Sequence, residues 1–163
     1  PLGLVATDLN LSVVRPQDER LGRVAKAAPG TETAARRLLA LMEAGLTPVM
    51  SSVGIDDEGR LWNINADDVA LAVALLLKAP LIFLSDVRGV LDAEKNLIRT
   101  LTPDTAQKLI AEGIISGGMT VKVNAALAAA ASTKAPVAVA SVFDETLTHC
   151  LLSGKLPGTV FAV

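Results

Sequence analysis

Two short segments of the chain carry residue types suited to the transfer of a charged group. One is the amide and carboxylate cluster Asn63-Ile64-Asn65-Ala66-Asp67-Asp68, and the other is the glycine step and lysine of Gly117-Gly118-Met119-Thr120-Val121-Lys122. Each stands where we expect a helix to begin, and the exposed N–H groups and partial positive charge of helix N-termini favour anions. Lys122 adds a full positive charge, and a carboxylate can orient it or hold a metal. Such a set is typical of phosphoryl transfer, in which catalysis is mostly positioning and charge stabilisation.

Ordinary helix capping explains part of this pattern. An asparagine or aspartate at a helix start is commonly a cap, which would account for Asp67 or Asp68. It would not account for Asn63, Asn65 and Asp67 together, which share one face if the segment is extended. Glycines before a helix are also frequent without any ligand, so Gly117-Gly118 is a weak signal alone. The two segments together predict a site.

Composition excludes several classes of function. Half of the 163 residues (51%) are hydrophobic, enough for a good core, and the formal net charge is −2. This charge and the low aromatic content (2%) argue against binding to nucleic acid or to an acidic membrane. The apolar run Val69–Leu77 is too short to span a bilayer. Cys150 is the sole cysteine, so we expect a reducing, cytoplasmic location, and its neighbour His149 does not face it on a helix.

Apolar strands alternate with helices along the chain. Capping residues stand at Thr31 and Thr102, and Asp56-Asp57-Glu58-Gly59 and Arg15-Pro16-Gln17-Asp18 are turn sequences. The predicted helices cover residues 32–44, 67–78, 103–112, 118–133 and 145–152. The predicted strands cover residues 3–6, 11–14, 22–27, 46–52, 80–85, 137–141 and 159–163. This order predicts an α/β fold with a layered, mostly parallel sheet.

Ligands of open α/β sheets bind beyond the carboxyl ends of the strands. Two loops qualify, Ser85–Leu91 after a continuous apolar strand and Ile114–Gly118 before the helix that carries Lys122. Two other well-known phosphate-binding motifs are absent or incomplete. Ser153-Gly154-Lys155-Leu156 resembles the end of a P-loop but lacks the first glycine and the final hydroxyl, and no G-x-G-x-x-G follows a strand. No His/Cys cluster offers a transition-metal site, so no residue is assigned as a metal ligand.

The motifs resemble those of the amino-acid kinase family, and specifically its branch that phosphorylates N-acetyl-L-glutamate. The resemblance extends over most of the chain after residue 45, in the family's order and spacing. The segments that carry it are Pro48–Ser52 with Gly54, Trp62–Asp67, Leu84–Leu91 and Gly113–Val123. It implies a three-layer αβα sandwich, ATP with Mg²⁺ as cofactor, N-acetyl-L-glutamate as acceptor, and a homodimer or higher homo-oligomer for the parent enzyme.

The resemblance also implies roles for individual residues. Asp67 would organise the catalytic lysines, and Lys122 would stabilise charge on the transferring phosphoryl group. Asn63 would hold the acceptor, with Asn65 lining the same cleft. The implied nucleotide-binding residues are Ser85, Asp86, Val87, Arg88, Gly89, Val90, Leu91, Ile114, Ile115, Ser116, Gly118 and Met119.

The sequence departs from the family pattern at its beginning. It contains no early Lys-x-Gly-Gly, no second glycine-rich loop and no acceptor-binding arginine from that half. The resemblance therefore implies an α/β fold incomplete at the N-terminus, with residues 1–45 a remnant of the acceptor-binding lobe and residues 46–163 the nucleotide-binding lobe. We expect such a chain to be inactive alone. A smaller departure is Leu9, where the family tends to have glycine after the aspartate that corresponds to Asp8.

Other functions fit the same motifs less well. A non-catalytic nucleotide-binding module would have little need for both Asp67 and Lys122. A sister kinase acting on aspartate, glutamate or a nucleoside monophosphate would share the fold but have other versions of the Asn-x-Asn-x-Asp and Gly-Gly-Met-x-x-Lys segments. A dinucleotide-dependent oxidoreductase lacks its glycine fingerprint here.

Overall fold

The computed structural model describes residues 1–16 and 19–162, and the chain divides into two compact units, Pro1–Lys78 and Ala79–Val163. The strands are β1 Leu2–Val5, β2 Ser12–Pro16, β3 Val24–Pro29, β4 Pro48–Ser51, β5 Val53–Ile55, β6 Leu61–Ile64, β7 Leu81–Ser85, β8 Thr100–Leu101, β9 Val137–Ser141 and β10 Thr159–Phe161. The α-helices are α1 Glu32–Glu43, α2 Ala66–Leu77, α3 Pro103–Ala111, α4 Gly117–Thr133 and α5 Leu147–Leu152, and short 3₁₀ turns cover Asp8–Asn10 and Glu19–Leu21.

The described residues of the first unit form two sheets. β1 pairs in parallel with β4, and the other sheet has the order β2-β3-β6-β5. In that sheet β3 and β6 run parallel, while β2 with β3 and β5 with β6 are antiparallel. Among its described residues, the apolar core of the first unit includes two clusters, Leu11 with Ala34 and Leu38, and Ala6 with Ala25, Ile64 and Val69.

Leu9 has a backbone conformation that glycine adopts more easily. Its φ is 55°, in the left-handed region, within the turn Asp8–Asn10. The Asp8 carboxylate holds this turn by accepting a hydrogen bond from the Val5 N–H at 2.8 Å. The side chain of Leu9 packs against the cluster that contains Leu11. Apolar packing therefore offsets the backbone strain, which explains how a leucine stands where the resembled family tends to have glycine.

The second unit has one four-stranded sheet of order β7-β9-β10-β8. β7 and β9 are parallel, as are β10 and β8, whereas β9 and β10 are antiparallel. All five residues of β9 are buried. Helix α4 packs on β9 and β10 with the small side chains Ala126, Ala129 and Ala130 fully buried. Because β7 and β9 are parallel, the loops after Ser85 and Ser141 leave the sheet at the same edge.

The predicted α/β class with mostly parallel strand pairs is confirmed, since four of the seven pairs among the described residues are parallel. Strands β5, β6 and β8 were not predicted. Strand β2 continues through Pro16, where we expected a turn. The rest of that turn, Gln17 and Asp18, and the end of the last predicted strand, Val163, lie outside the described residues. Among the described helices, none combines the length and the apolar character needed to cross a membrane.

Candidate active site

Two loops of the second unit line an open cavity of about 700 Å³. One loop follows β7 and the other connects α3 to α4. The lining residues are Val87, Arg88, Gly89, Val90, Leu91, Asp92, Ala93, Lys95, Glu112, Gly113, Ile114, Ile115, Ser116 and Met119. The volume lies in the range of small-molecule and cofactor sites.

The structure brings most of the predicted nucleotide-binding residues to this cavity. Val87, Arg88, Gly89, Val90, Leu91, Ile114, Ile115, Ser116 and Met119 all line it. Ser85, Asp86 and Gly118 are not among its lining residues. Five further lining residues were not predicted and extend the same two loops: Asp92, Ala93, Lys95, Glu112 and Gly113. Continuing each loop to the next strand or helix would have included them.

The loop after β7 folds into a small hairpin over residues 90–98. The Ile98 N–H donates to the Val90 carbonyl at 2.9 Å, and Leu91 and Leu97 form an antiparallel bridge. At its tip the Asp92 carboxylate accepts from the Asn96 N–H at 2.7 Å. These hydrogen bonds therefore fix the backbone conformation of one wall of the cavity.

Lys122 is tied to the carboxyl end of β7. Its Nζ donates to Ser85 Oγ at 2.6 Å and lies 3.8 Å from Asp86 Oδ1. The Ser85 hydroxyl in turn donates to Asp86 Oδ1 at 2.9 Å. The predicted residues Ser85, Asp86 and Lys122 thus form one polar cluster, which fixes the ammonium group beside the loop that lines the cavity.

The Asp86 carboxylate is stabilised in its charged form. The hydrogen bond from Ser85 is the largest cause of a lowered pKa for Asp86, followed by its own backbone N–H and the positive charge of Lys122. The Asp86 side chain is 81% exposed, so it is also well hydrated. Asp86 is therefore ionised at neutral pH, and its negative charge helps to orient the Lys122 side chain.

Helix α4 begins beside the cavity without a side-chain cap. Ser116 is the N-cap, but its side chain makes no capping hydrogen bond. By contrast, the predicted caps Thr31 and Thr102 accept from the N–H groups of Ala34 and Thr105, each at 3.3 Å. The start of α4 therefore presents backbone N–H groups that an anion can bind, as expected for a phosphate site.

The predicted acceptor residues lie at the junction of β6 and α2 in the first unit. Asn63 is exposed in β6 beside the buried Ile64. Asn65 is the N-cap of α2, and its Oδ1 accepts from the Asp67 N–H at 2.8 Å. The predicted alternation of Asn63, Asn65 and Asp67 on one extended face is wrong beyond Asn65, because Asp67 lies in the first turn of the helix. The cap is Asn65 rather than Asp67 or Asp68.

The hairpin that leads into β6 is closed by one carboxylate. Asp56 Oδ2 accepts from Trp62 Nε1 at 2.8 Å and from Arg60 Nε at 2.7 Å. The hydrogen bond from Trp62 is the largest cause of a strongly lowered pKa for Asp56, and contacts with Arg60 add to it. These contacts hold β6, which carries Asn63, against the predicted turn at 56–59.

We expect acid to open this hairpin only below the usual pKa of an aspartate. The folded pKa of Asp56 is lowered, so its stabilising contribution is complete above the ordinary value of 3.8 and is lost as the pH falls through the folded pKa. Fluorescence of Trp62, the sole tryptophan, should stay constant down to about pH 4 and change below it.

Two variants test at pH 7 whether Asp56 is the group that bonds to Trp62. Asp56→Asn should alter the Trp62 emission spectrum, whereas Asp57→Asn, at the exposed neighbouring position, should not. An unchanged spectrum in Asp56→Asn would contradict the role of Asp56.

Comparisons with known proteins identify the family. A family model described as "Amino acid kinase family" matches residues 3–141. An acetylglutamate kinase of Yersinia pestis (strain Pestoides F) is 46% identical over 162 residues, which are 99% of this chain and 62% of that protein. The chain thus spans about three-fifths of the length of the curated relatives it matches.

Solved structures agree with this match. The protein smu.665 of Streptococcus mutans UA159 has a TM-score of 0.71 and 25% identity, covering 99% of this chain and 60% of that one. The N-acetylglutamate synthase of Neisseria gonorrhoeae, complexed with coenzyme A and N-acetyl-glutamate, has a TM-score of 0.75 over 94% of this chain and 37% of that one; at 21% identity it shows the fold alone. Since the family model covers most of its length, the chain belongs to the amino acid kinase family.

Proposed function

We propose that this chain carries the nucleotide-binding part of an acetylglutamate kinase. The whole protein would transfer the terminal phosphoryl group of ATP to the side-chain carboxylate of N-acetyl-L-glutamate, a step of arginine biosynthesis, in the cytoplasm and as a homodimer or higher homo-oligomer. The observation that carries the proposal is the cavity between the loops 87–95 and 112–119, with the start of α4 beside it. The 46% identity to a protein named acetylglutamate kinase supports the choice of acceptor.

In this proposal the second unit binds the nucleotide. The apolar side chains of Leu91, Ile114 and Met119 line the cavity, are not buried and offer surface to the base and ribose, while the start of α4 faces the phosphates. Lys122 stabilises the negative charge that spreads over the transferring phosphoryl group. Preorganised charges of this kind are the main source of catalysis in phosphoryl transfer.

The first unit would contribute acceptor and catalytic residues. Asn63 is exposed and can bind the polar groups of N-acetyl-L-glutamate. The Oδ1 atom of Asn65 is used by the cap of α2, so its amide Nδ2 is the group that could donate to the acceptor. Asp67 carries the role of orienting catalytic lysines.

Mg²⁺ would accompany ATP by binding mainly to phosphate oxygens. Mg²⁺ usually keeps several waters and takes few protein ligands when it binds with nucleotide phosphates, so it would require little direct coordination from this chain.

We predict that the 163-residue polypeptide alone turns over N-acetyl-L-glutamate negligibly. It contains no Lys-x-Gly-Gly lysine and no acceptor-binding arginine from that half, and loss of one electrostatic donor typically slows catalysis by about 10²–10³-fold. A chimera with the N-terminal part of the Yersinia pestis relative in front of this chain should be faster by about 10³-fold or more. A coupled ADP-release assay measures both.

The same chimera tests the acceptor. N-acetyl-L-glutamate should be phosphorylated, and L-glutamate, L-aspartate and uridine monophosphate should not. Preference for one of the last three would favour a sister kinase. If the chain binds nucleotide but the chimera is inactive, a non-catalytic module is favoured. If the isolated chain turns over N-acetyl-L-glutamate and Lys122→Ala abolishes that turnover, the prediction of inactivity is contradicted.

A further inference from the structure

A buried threonine outside the cavity holds the backbone of its wall. Thr159 lies on β10 and is fully buried. Its Oγ1 accepts from the Val90 N–H at 2.8 Å and donates to the Ile98 carbonyl at 2.7 Å. Val90 and Ile98 are the two ends of the hairpin over residues 90–98, so one hydroxyl joins both ends to the sheet.

The adjacent turn is fitted closely around the same hydroxyl. Gly89 has a φ of 138°, and a Cβ placed on it would lie 2.6 Å from Thr159 Oγ1. Gly89 is buried and lines the cavity together with Val90. The position of the cavity wall therefore depends on the Thr159 side chain, although Thr159 is not among the lining residues.

We infer that Thr159 is a positioning residue for nucleotide binding, an inference that rests on the proposed function of the cavity. Without the hydroxyl, the Val90 N–H and the Ile98 carbonyl lose a buried partner, and the hairpin gains access to other conformations. The apparent dissociation constant then rises as the inverse of the fraction of molecules in which the wall is in place.

Thr159→Val tests the inference because it keeps the shape of the side chain and removes the hydroxyl. We expect the dissociation constant for MgADP, measured by calorimetry, to rise roughly tenfold, because the Val90 N–H and the Ile98 carbonyl both lose this hydrogen-bond partner. Thr159→Ser keeps the hydroxyl and should bind MgADP within about twofold of the unaltered chain.

Thr133 offers a matched control in the same unit. It is buried, and its Oγ1 likewise donates to a carbonyl and accepts from an N–H, both of Ala135 and both at 3.2 Å. Thr133 does not line the cavity. Thr133→Val should therefore lower the thermal midpoint of unfolding without changing the affinity for MgADP.

Amide hydrogen exchange in the ligand-free chain provides a second readout. Exchange at Val90 should accelerate in Thr159→Val and remain slow in Thr159→Ser. An unchanged rate in Thr159→Val, an unchanged affinity for MgADP, or an equal loss of affinity in Thr133→Val would overturn the inference. Absence of MgADP binding by the unaltered chain would instead contradict the proposed function, and the inference with it.

Discussion

Replacing Lys122 by alanine is expected to weaken MgADP binding roughly 10- to 100-fold, since a hydrogen bond to a charged group is worth about 1.5–3 kcal/mol. The Lys122 ammonium group is half-exposed and held by Ser85 and Asp86 at the end of β7. Bound phosphates at the start of α4 would lie within its reach. The variant removes this charge and leaves the negative charge of Asp86 beside the site, which repels an anionic ligand.

A charge at the other end of the same helix provides the control. Lys134 follows the last residue of α4 and is exposed. Lys134→Ala lowers the net charge of the chain by the same amount, so it accounts for long-range electrostatic effects. We expect it to change the MgADP affinity by less than about twofold. Equal losses in Lys122→Ala and Lys134→Ala, measured by calorimetry at one ionic strength, would contradict a direct role for Lys122.

Replacing Gly158 by alanine should destabilise the second unit by about 2–4 kcal/mol, the sum of overpacking and of backbone strain. Gly158 has a φ of 69°, and a Cβ on it would lie 2.0 Å from the Val139 carbonyl oxygen and 2.8 Å from Ala140 Cα. Both atoms belong to β9, the fully buried strand of the sheet. The backbone before β10 must move away from β9 to relieve these contacts.

The variant Gly154→Ala separates backbone strain from overpacking. Gly154 has nearly the same φ, 70°, but a Cβ on it would meet nothing within 4 Å. This variant therefore has the backbone strain without the collision and should lose only about 1 kcal/mol. Urea unfolding followed by circular dichroism measures both losses. Similar losses for the two variants would show that β10 can shift freely against β9.

Helix boundaries were predictable because their signals are local. The side chains of Thr31 and Thr102 each accept a hydrogen bond from the backbone N–H three residues later in the chain. Pro103 and the glycine that ends α3 are similarly local signals. The two candidate ligand loops were found because each follows or precedes an element with a clear apolar pattern.

The remainder depends on contacts between distant parts of the chain. Thr159 bonds to Val90, 69 residues earlier, and no pattern near Thr159 indicates that partner. The two-residue strand β8 exists because it pairs with β10, again a distant segment. The misplaced cap of α2 has a simpler, local cause. Asparagine and aspartate fit both the polar face of a strand and the cap of a helix, so the residue types alone do not show that the cap is Asn65.

The assignment of residues 1–45 and 46–163 to two functional lobes stays a prediction. The chain packs as two units divided after Lys78.

The most direct test of the central claim is a residue-by-residue map of amide chemical shifts in the isotope-labelled chain as MgADP is added. If the cavity of the second unit is the nucleotide site, the largest changes will fall on residues 87–95 and 112–122. Changes confined to other segments, or none at saturating MgADP, would contradict the assignment of the nucleotide site to this cavity.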